Sequence, residues 1–307
     1  MATLQVTPIG VGIKNVLIAT DFSDHSRSAL SFGMQLAKAY KALAHVAYVL
    51  PTADYLLSGP EVYVSAQAAA RRDLNELQAD LERDYACRMG EDFQIYLLEG
   101  EVTRSILEFV RHWDIDLIVL GTHGRGGLGK VILGSVAEQV FRHTPIPVLT
   151  VGPEARGHAL HCQPREIIVP ADFTSASRRA VKHAVALARQ HQSRLTLLHV
   201  VNPKQLEHGF DRAAAERGLK NRLSELADSG DGVLPTVRIE VGRVTDTILE
   251  VARAQAADLL VMGVRPSGGV LDRLMIPHAY EVIRGAPCPV LTLRETTESI
   301  EQGRTYG

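Results

Sequence analysis

Along residues 15–151, short uninterrupted apolar runs alternate with longer segments whose apolar residues recur every three or four positions. The runs lie at 15–20, 45–50, 93–98, 116–121 and 146–151, each the length of a strand buried on both faces of a parallel sheet. Between them, residues 28–40, 66–88, 102–112 and 135–143 have helical spacing. The stripe Leu74, Leu77, Leu81 on the second of these reads as a core-facing edge and not as a partner groove. Alternation of strand and helix predicts an α/β domain, an open parallel sheet of five strands with helices on both faces.

The pattern then starts again. Residues 100–150 lie over 242–292 at a constant offset of 142 without a gap and are identical at 21 of those 51 positions. Further upstream, Asp21-Phe22-Ser23 answers Asp172-Phe173-Thr174 at an offset of 151, so the second copy is nine residues shorter between these anchors. Its strands are expected at 166–171, 194–201, 236–241, 258–263 and 288–293. The chain reads as a tandem duplication, with one domain over residues 1–152 and another over residues 164–307. Between them, Gly152 through Pro164 is rich in Gly, Pro and His without apolar periodicity, and reads as an exposed linker.

Length agrees with this, since 307 residues are about twice the usual domain size. Apolar residues at 46% and charged residues at 22% place the chain among ordinary globular proteins. With 33 Lys and Arg against 35 Asp and Glu, there is no basic field to attract nucleic acid, and no nucleic-acid partner is expected. No apolar run is long enough to span a membrane, and the first residues lack the pattern of a secretory leader, so a cytoplasmic location without membrane contact is expected. Cys87, Cys162 and Cys288 are odd in number and far apart, which suits reduced, inert thiols better than a disulfide framework.

Candidate chemistry sits where a doubly wound sheet keeps it, beyond the carboxyl ends of the strands at the point where the winding reverses. The unusual polar residues follow strand one (Thr20-Asp21-Phe22-Ser23) and strand four (Gly121-Thr122-His123-Gly124-Arg125-Gly126-Gly127). Strand order 3-2-1-4-5 sets strands one and four side by side, whereas 2-1-3-4-5 separates them, so convergence selects the first. The glycines continue to Gly134-Ser135, where a helix opens with Val136-Ala137-Glu138. Glycines let backbone approach a ligand, and a helix N-terminus offers amides and partial positive charge, so the loop suits a polyanion such as phosphate. Arg125 and Lys130 either add charge there or are simply solvated.

Gly121-x-x-Gly124, nine residues, then Gly134-Ser135 resembles the nucleotide-binding signature of the universal stress protein family, and Ala-Thr-Asp21-Phe-Ser resembles its strand-one ending. The resemblance covers both halves apart from the linker and implies a Rossmann-like nucleotide-binding fold in each. It also implies ATP, with or without Mg, as the bound cofactor. Asp21 would meet the adenine end, Val49 would give backbone contacts to the base, and Gly121, Gly124, Gly134, Ser135 and the Val136 amide would hold ribose and phosphates. The bland alternative for Asp21 is a helix-capping turn residue beside Ser23. In the second copy Gly124 becomes Pro266, Gly134 becomes Ile276 and Ser135 becomes Pro277, so that site is expected to be disabled for ATP. Arg265, Arg273 and His278 leave room there for a different anionic ligand.

Rival chemistries fare worse. Gly124 through Lys130 fits GxxxxGK, yet Val131 stands where a magnesium-binding hydroxyl is required, and the loop follows strand four. An adenylating enzyme would need a glycine-rich loop after strand one, and neither a G-x-S-x-G elbow nor HExxH occurs. His158, His161 and Cys162 offer three ligands without a fourth and read as solvated linker. His123 reads as a hydrogen-bond donor or a solvated residue, and His45 and His199 as structural. A stress-response nucleotide-binding regulatory protein is therefore expected, with a slow ATPase or phosphotransfer enzyme as the alternative, because no base with an orienting partner stands out. The fifth strands, as sheet edges, are expected to pair the two domains intramolecularly, and a homodimer is a further expectation from the family.

Overall fold

The computed structural model describes residues 12–55, 59–122, 134–155, 163–203, 212–227, 233–264 and 272–294, with side chains from 217 in the fifth of these segments and from 278 in the last. Contacts divide them into two compact units, Gly12–Val151 and the chain from Gly152 onward.

In the first unit the elements run β1 (Asn15–Ala19), α1 (Asp24–Tyr40), β2 (Leu43–Pro51), a 3₁₀ turn (Thr52–Tyr55), α2 (Pro60–Tyr85), β3 (Phe93–Gly100), α3 (Val102–His112), β4 (Leu117–Gly121), α4 (Ser135–His143) and β5 (Val148–Val151). All strand pairs are parallel, and the order is β3-β2-β1-β4-β5. Right-handed crossovers then put α1 and α2 on one face and α3 and α4 on the other. The core lies along the strands: Val16, Leu17, Ile18, Ile118 and Val119 are fully buried, as parallel strands covered on both faces require.

The second unit repeats this with β6 (Glu166–Pro170), α5 (Ser175–His191), β7 (Arg194–Val201), α6 (Arg212–Ala227), β8 (Thr236–Val241), α7 (Val244–Ala254), β9 (Leu259–Val264), α8 (Asp272–Gly285) and β10 (Val290–Arg294). Its order, β8-β7-β6-β9-β10, again all parallel, is the same topology. Each unit is thus an α/β domain wound as the alternating pattern predicts.

Four local differences from the sequence reading have physical causes. Helix α1 starts at Asp24, four residues before its apolar period begins, because the Ser23 hydroxyl accepts from the Ser26 amide and caps the helix. Helix α2 likewise starts early, at Pro60, where a proline in the first turn forfeits no helical bond. The start of the expected linker is not exposed: Gly152 and Ala155 are buried, and Glu154 meets Arg253 at 3.1 Å. Finally, α8 begins at Asp272 and runs through Pro277, five residues ahead of the position equivalent to the start of α4.

The stripe on α2 faces inward as expected. Leu74 and Leu81 are buried and Leu77 packs against Tyr48, Leu50 and Ala70. His45 is wholly buried between Tyr96, whose hydroxyl lies 3.1 Å from Nδ1, and Asn15, whose Oδ1 lies 3.2 Å from Nε2, a structural role. Cys87 and Cys288 are buried free thiols, and burial pushes the Cys288 thiol up to about 12, so it holds its proton. Cys162 lies outside the described residues.

His183 on α5 is 5% exposed, with Nδ1 donating to the Arg179 carbonyl at 2.9 Å and Nε2 left without a partner among the described residues. Burial first, and the Arg179 charge after it, hold its imidazole down to about 4 against 6.5 in the unfolded chain. On acidification the unfolded state takes the proton first, so stability is full above pH 6.5 and drains away as the pH falls toward 4. The full span of that shift corresponds to about 3 kcal/mol. Urea denaturation of the full chain, followed by circular dichroism at pH 7 and pH 4, is expected to show the native sequence losing about that much more stability than His183→Leu. Equal losses would show that His183 titrates normally.

Candidate functional site

The order of strands brings the two polar clusters together. β1 and β4 are neighbours, Ile18 opposite Val119, so Asp21 after β1 and Gly121 at the end of β4 flank one crevice at the carboxyl end of the sheet. Strand β2 lies on the far side of β1 and outruns it. Its register with β1 ends at Ala47 opposite Ala19, while its pairing with β3 continues to Pro51 opposite Gly100.

That overhang sets the direction of the Val49 backbone groups. The Ala47 carbonyl points toward β1, accepting from the Thr20 amide at 2.9 Å. In a strand, the N–H and C=O of one residue share a side and the sides alternate, so Val49 aims both its groups the same way as Ala47. There β1 has ended, and the two groups face the crevice. The Val49 side chain itself is buried, 6% exposed.

Asp21 works first as a turn residue. Its Oδ1 accepts from the Ser23 amide at 3.1 Å and the Ser23 hydroxyl at 2.6 Å, and Ser23 in turn caps α1. The bland reading of Asp21 as a turn residue beside the helix cap therefore holds. Between Asp21 and Ser23, Phe22 sits at φ 62°, a left-handed conformation costing on the order of 1–3 kcal/mol for such a side chain. Its amide donates to the Thr20 hydroxyl and its ring lies 4.9 Å from that of Tyr48. Phe173, the equivalent residue, repeats this at φ 64° with its ring 5.0 Å from His199. Sequence reasoning matched these phenylalanines only as part of the repeat. The available signal was a bulky residue set inside a turn of Asp and Ser or Thr.

On the β4 side, Gly134 donates from its amide to the Thr122 carbonyl at 2.8 Å. The eleven residues from His123 to Leu133 thus leave and return at one hydrogen bond. Gly124, Arg125, His123 and Lys130 belong to that stretch and lie outside the described residues. Gly134 is the N-cap of α4 and brings no capping side chain, so the first-turn amides of Ser135 and Val136, on an exposed and a half-buried residue, carry the positive end of the helix dipole.

Gly121 has a packing duty that the signature does not reveal. A Cβ there would stand 2.9 Å from the His25 carbonyl oxygen and 3.2 Å from the Ser26 amide nitrogen, the first turn of α1. The equivalent Gly263 is tighter still, its Cβ falling onto the Ala176 carbonyl.

In the second unit the same crevice is a half-open cavity of about 270 Å³ at the ends of β6, β7 and β9. It is lined by Asp172, His199, Val200, Met262, His278 and Ala279 among others. His199, expected to be structural, does hold the Ala171 carbonyl through Nδ1 at 2.7 Å, but it also forms part of this wall. Arg265, Pro266 and the side chains of Arg273, Ile276 and Pro277 lie outside the described residues. Among the described residues no group of three or more His, Cys, Asp or Glu could hold a metal, and no helix is long and apolar enough to cross a membrane. His158, His161 and Cys162 lie outside them.

Because Gly121 and Gly263 answer to backbone of the facing helix, Gly121→Ala and Gly263→Ala should each lower stability by about 1–3 kcal/mol, with the second more damaging. Thermal unfolding of the two variants without ligand checks this. An unchanged midpoint for Gly263→Ala would show that the helix moves aside freely.

The model of the universal stress protein family matches residues 12–152 and again residues 164–294. A universal stress protein of Methanocaldococcus jannaschii is 30% identical over 138 residues, 45% of this chain and 81% of that relative. Another, from Mycolicibacterium smegmatis, is 24% identical over 294 residues, covering 91% of this chain and 96% of its own length. Among solved structures, a universal stress protein of Archaeoglobus fulgidus superposes with a TM-score of 0.67 at 22% identity, covering 92% of this chain and 98% of that one, a likeness of fold. With the family matched twice over most of its length, the chain belongs to the universal stress protein family as a tandem, two-domain member.

Proposed function

We propose that the protein is a cytoplasmic, nucleotide-binding regulator of a stress response that holds ATP, with Mg where the phosphates require it, in a first domain over residues 1–152. The second domain, residues 164–307, has lost the capacity for the triphosphate. One observation carries the reading: Asp21, the outward-facing backbone pair of Val49 and the capless N-terminus of α4 surround one crevice at the ends of adjacent strands. Val49 would take the edge of the base, Asp21 the adenine end, and Gly121, Gly124, Gly134, Ser135 and Val136 the ribose and phosphates, with Arg125 adding charge. An anion at the start of α4 gains from amides and dipole together.

A slow ATPase or phosphotransfer enzyme is the second reading. Binding is favoured because the sequence offers no base with an orienting partner beside the loop. Single-turnover hydrolysis with purified protein separates the two, and turnover faster than nucleotide release would favour the enzyme.

Gly134→Val places a branched side chain at the mouth of α4. Each charge-assisted bond lost there is worth about 1.5–3 kcal/mol, so ATP affinity should fall at least about tenfold in calorimetry on the full chain, with one site per chain in the native sequence. Undiminished affinity in that variant would overturn the site assignment.

A further inference from the structure

Helix α5 carries Arg178, Arg179, Lys182 and Arg189 and not one Asp or Glu, and the strands β9 and β10 on which it packs have no acid either. Where α5 meets the end of β10, Nη1 of Arg179 donates to the Arg294 carbonyl at 2.6 Å. That bond ties one guanidinium to the backbone that bears the other, so the two charges stand roughly one side-chain length apart or closer. Both side chains are half-buried. Burial holds both guanidiniums below the ordinary arginine value, and no carboxylate among the described residues acts on either to raise it.

Arg179 has no polar partner beyond that carbonyl, and the Arg294 guanidinium has none among the described residues. His183 stands one turn along the same helix face and is in a similar state. It is buried, Nδ1 donates to the Arg179 carbonyl at 2.9 Å, and Nε2 has no partner among the described residues. Drawing a cation out of water costs free energy unless a counter-charge offsets it, and two like charges close together add repulsion.

The scaffold does not demand these groups. At the equivalent positions the first copy has Ser28, Phe32 and Gly152, so all three are peculiar to the second. Nor do they belong to the nucleotide crevice. None of them lines the cavity at the ends of β6, β7 and β9, and none stands at a position of the glycine signature.

The arrangement also bears on the shape of the missing anion. A carboxylate has two oxygens in one plane and matches one guanidinium fork, whereas forks on two separate elements call for an anion with more than one edge. A tetrahedral oxyanion has those edges. The carbonyl bond already orients the Arg179 fork, which lessens the side-chain freedom lost on binding.

We propose that Arg179 and Arg294 form a binding site for a small tetrahedral oxyanion, phosphate or sulfate in kind, at the carboxyl end of β10. This site stands independently of the ATP reading of the first domain.

The test titrates the full chain with inorganic phosphate, sulfate and chloride by calorimetry, comparing the native sequence, Arg179→Gln, Arg294→Gln and Gly134→Val. Affinity for phosphate or sulfate should fall at least about tenfold in each arginine variant and hold in Gly134→Val, and chloride should not compete. Arg294→Gln removes no side-chain bond of the described fold, so the test stands even if Arg179→Gln fails to fold. In nitrogen-edited NMR spectra the His183 ring should shift on saturation with sulfate and stay in place with chloride. Glu295, Glu298 and Glu301 follow Arg294 in the sequence and lie outside the described residues. The proposal is overturned by unchanged affinity in Arg294→Gln, by binding lost in Gly134→Val, which would give the anion to the first unit, or by chloride competing on equal terms, which is screening alone. A His183 ring that sulfate leaves unmoved, or no binding at millimolar concentration, overturns it as well. So does binding that emerges only when Glu295, Glu298 and Glu301 are all changed to Gln, since the arginines would then serve the chain's own carboxylates.

Discussion

The backbone of a helix's first turn presses on the glycine near the carboxyl end of strand four, at a distance where no Cβ fits, and the rest of each domain is arranged around that contact. In the first unit Gly121 meets His25 and Ser26, and in the second Gly263 meets Ala176 and Ser177. The contact is possible because strands one and four are neighbours, so the helix leaving strand one crosses directly over strand four. It fixes the turn that carries Asp21 or Asp172, with its hydroxyl cap and left-handed phenylalanine, at the rim of the crevice. Both copies retain this glycine although the loop that follows it has diverged, which marks it as a requirement of the scaffold whatever the ligand.

Much of this was legible in the sequence because buried parallel strands are written as continuous apolar runs. β7 and β8 have the bounds that the apolar pattern gives, and β1, β4 and β6 differ from it by one residue at one end. The topology followed from chemistry, since the polar endings after strands one and four can converge only if those strands touch. Capping was harder to place. Ser23 draws α1 back to Asp24 through a side-chain bond that apolar periodicity does not register. Nor does sequence reveal that Gly121 is held by helix packing, because a glycine needed for close backbone approach looks the same whether the approaching group is a phosphate or a carbonyl.

His199 shows a different limit. As a lone histidine beside a strand it reads as structural, and the bond to the Ala171 carbonyl agrees. Its place in the wall of a cavity depends on where β6 ends relative to β7, a register effect that appears only when the two strands are laid side by side. The same overhang sets the direction of the backbone groups of Val49 and Val200, which their apolar side chains do not advertise.

The start of the helix that follows strand four sets the electrostatics at the end of each sheet. The dipole of a helix acts on charge within its first turn and fades beyond it. In the first unit α4 begins at Ser135, directly behind Gly134, so its amides open onto the crevice. In the second, α8 begins five residues earlier, which at 1.5 Å per residue moves the helix terminus about 7.5 Å along the axis, more than a full turn. What stands at the old position is helix interior interrupted by a proline, which subtracts one more amide and leaves the carbonyl four residues back without its helical donor. Extending a helix by about a turn and a half thus withdraws its N-terminal amides from the end of the sheet without disturbing the strands that form the other wall, and the electrostatics there change while the fold does not.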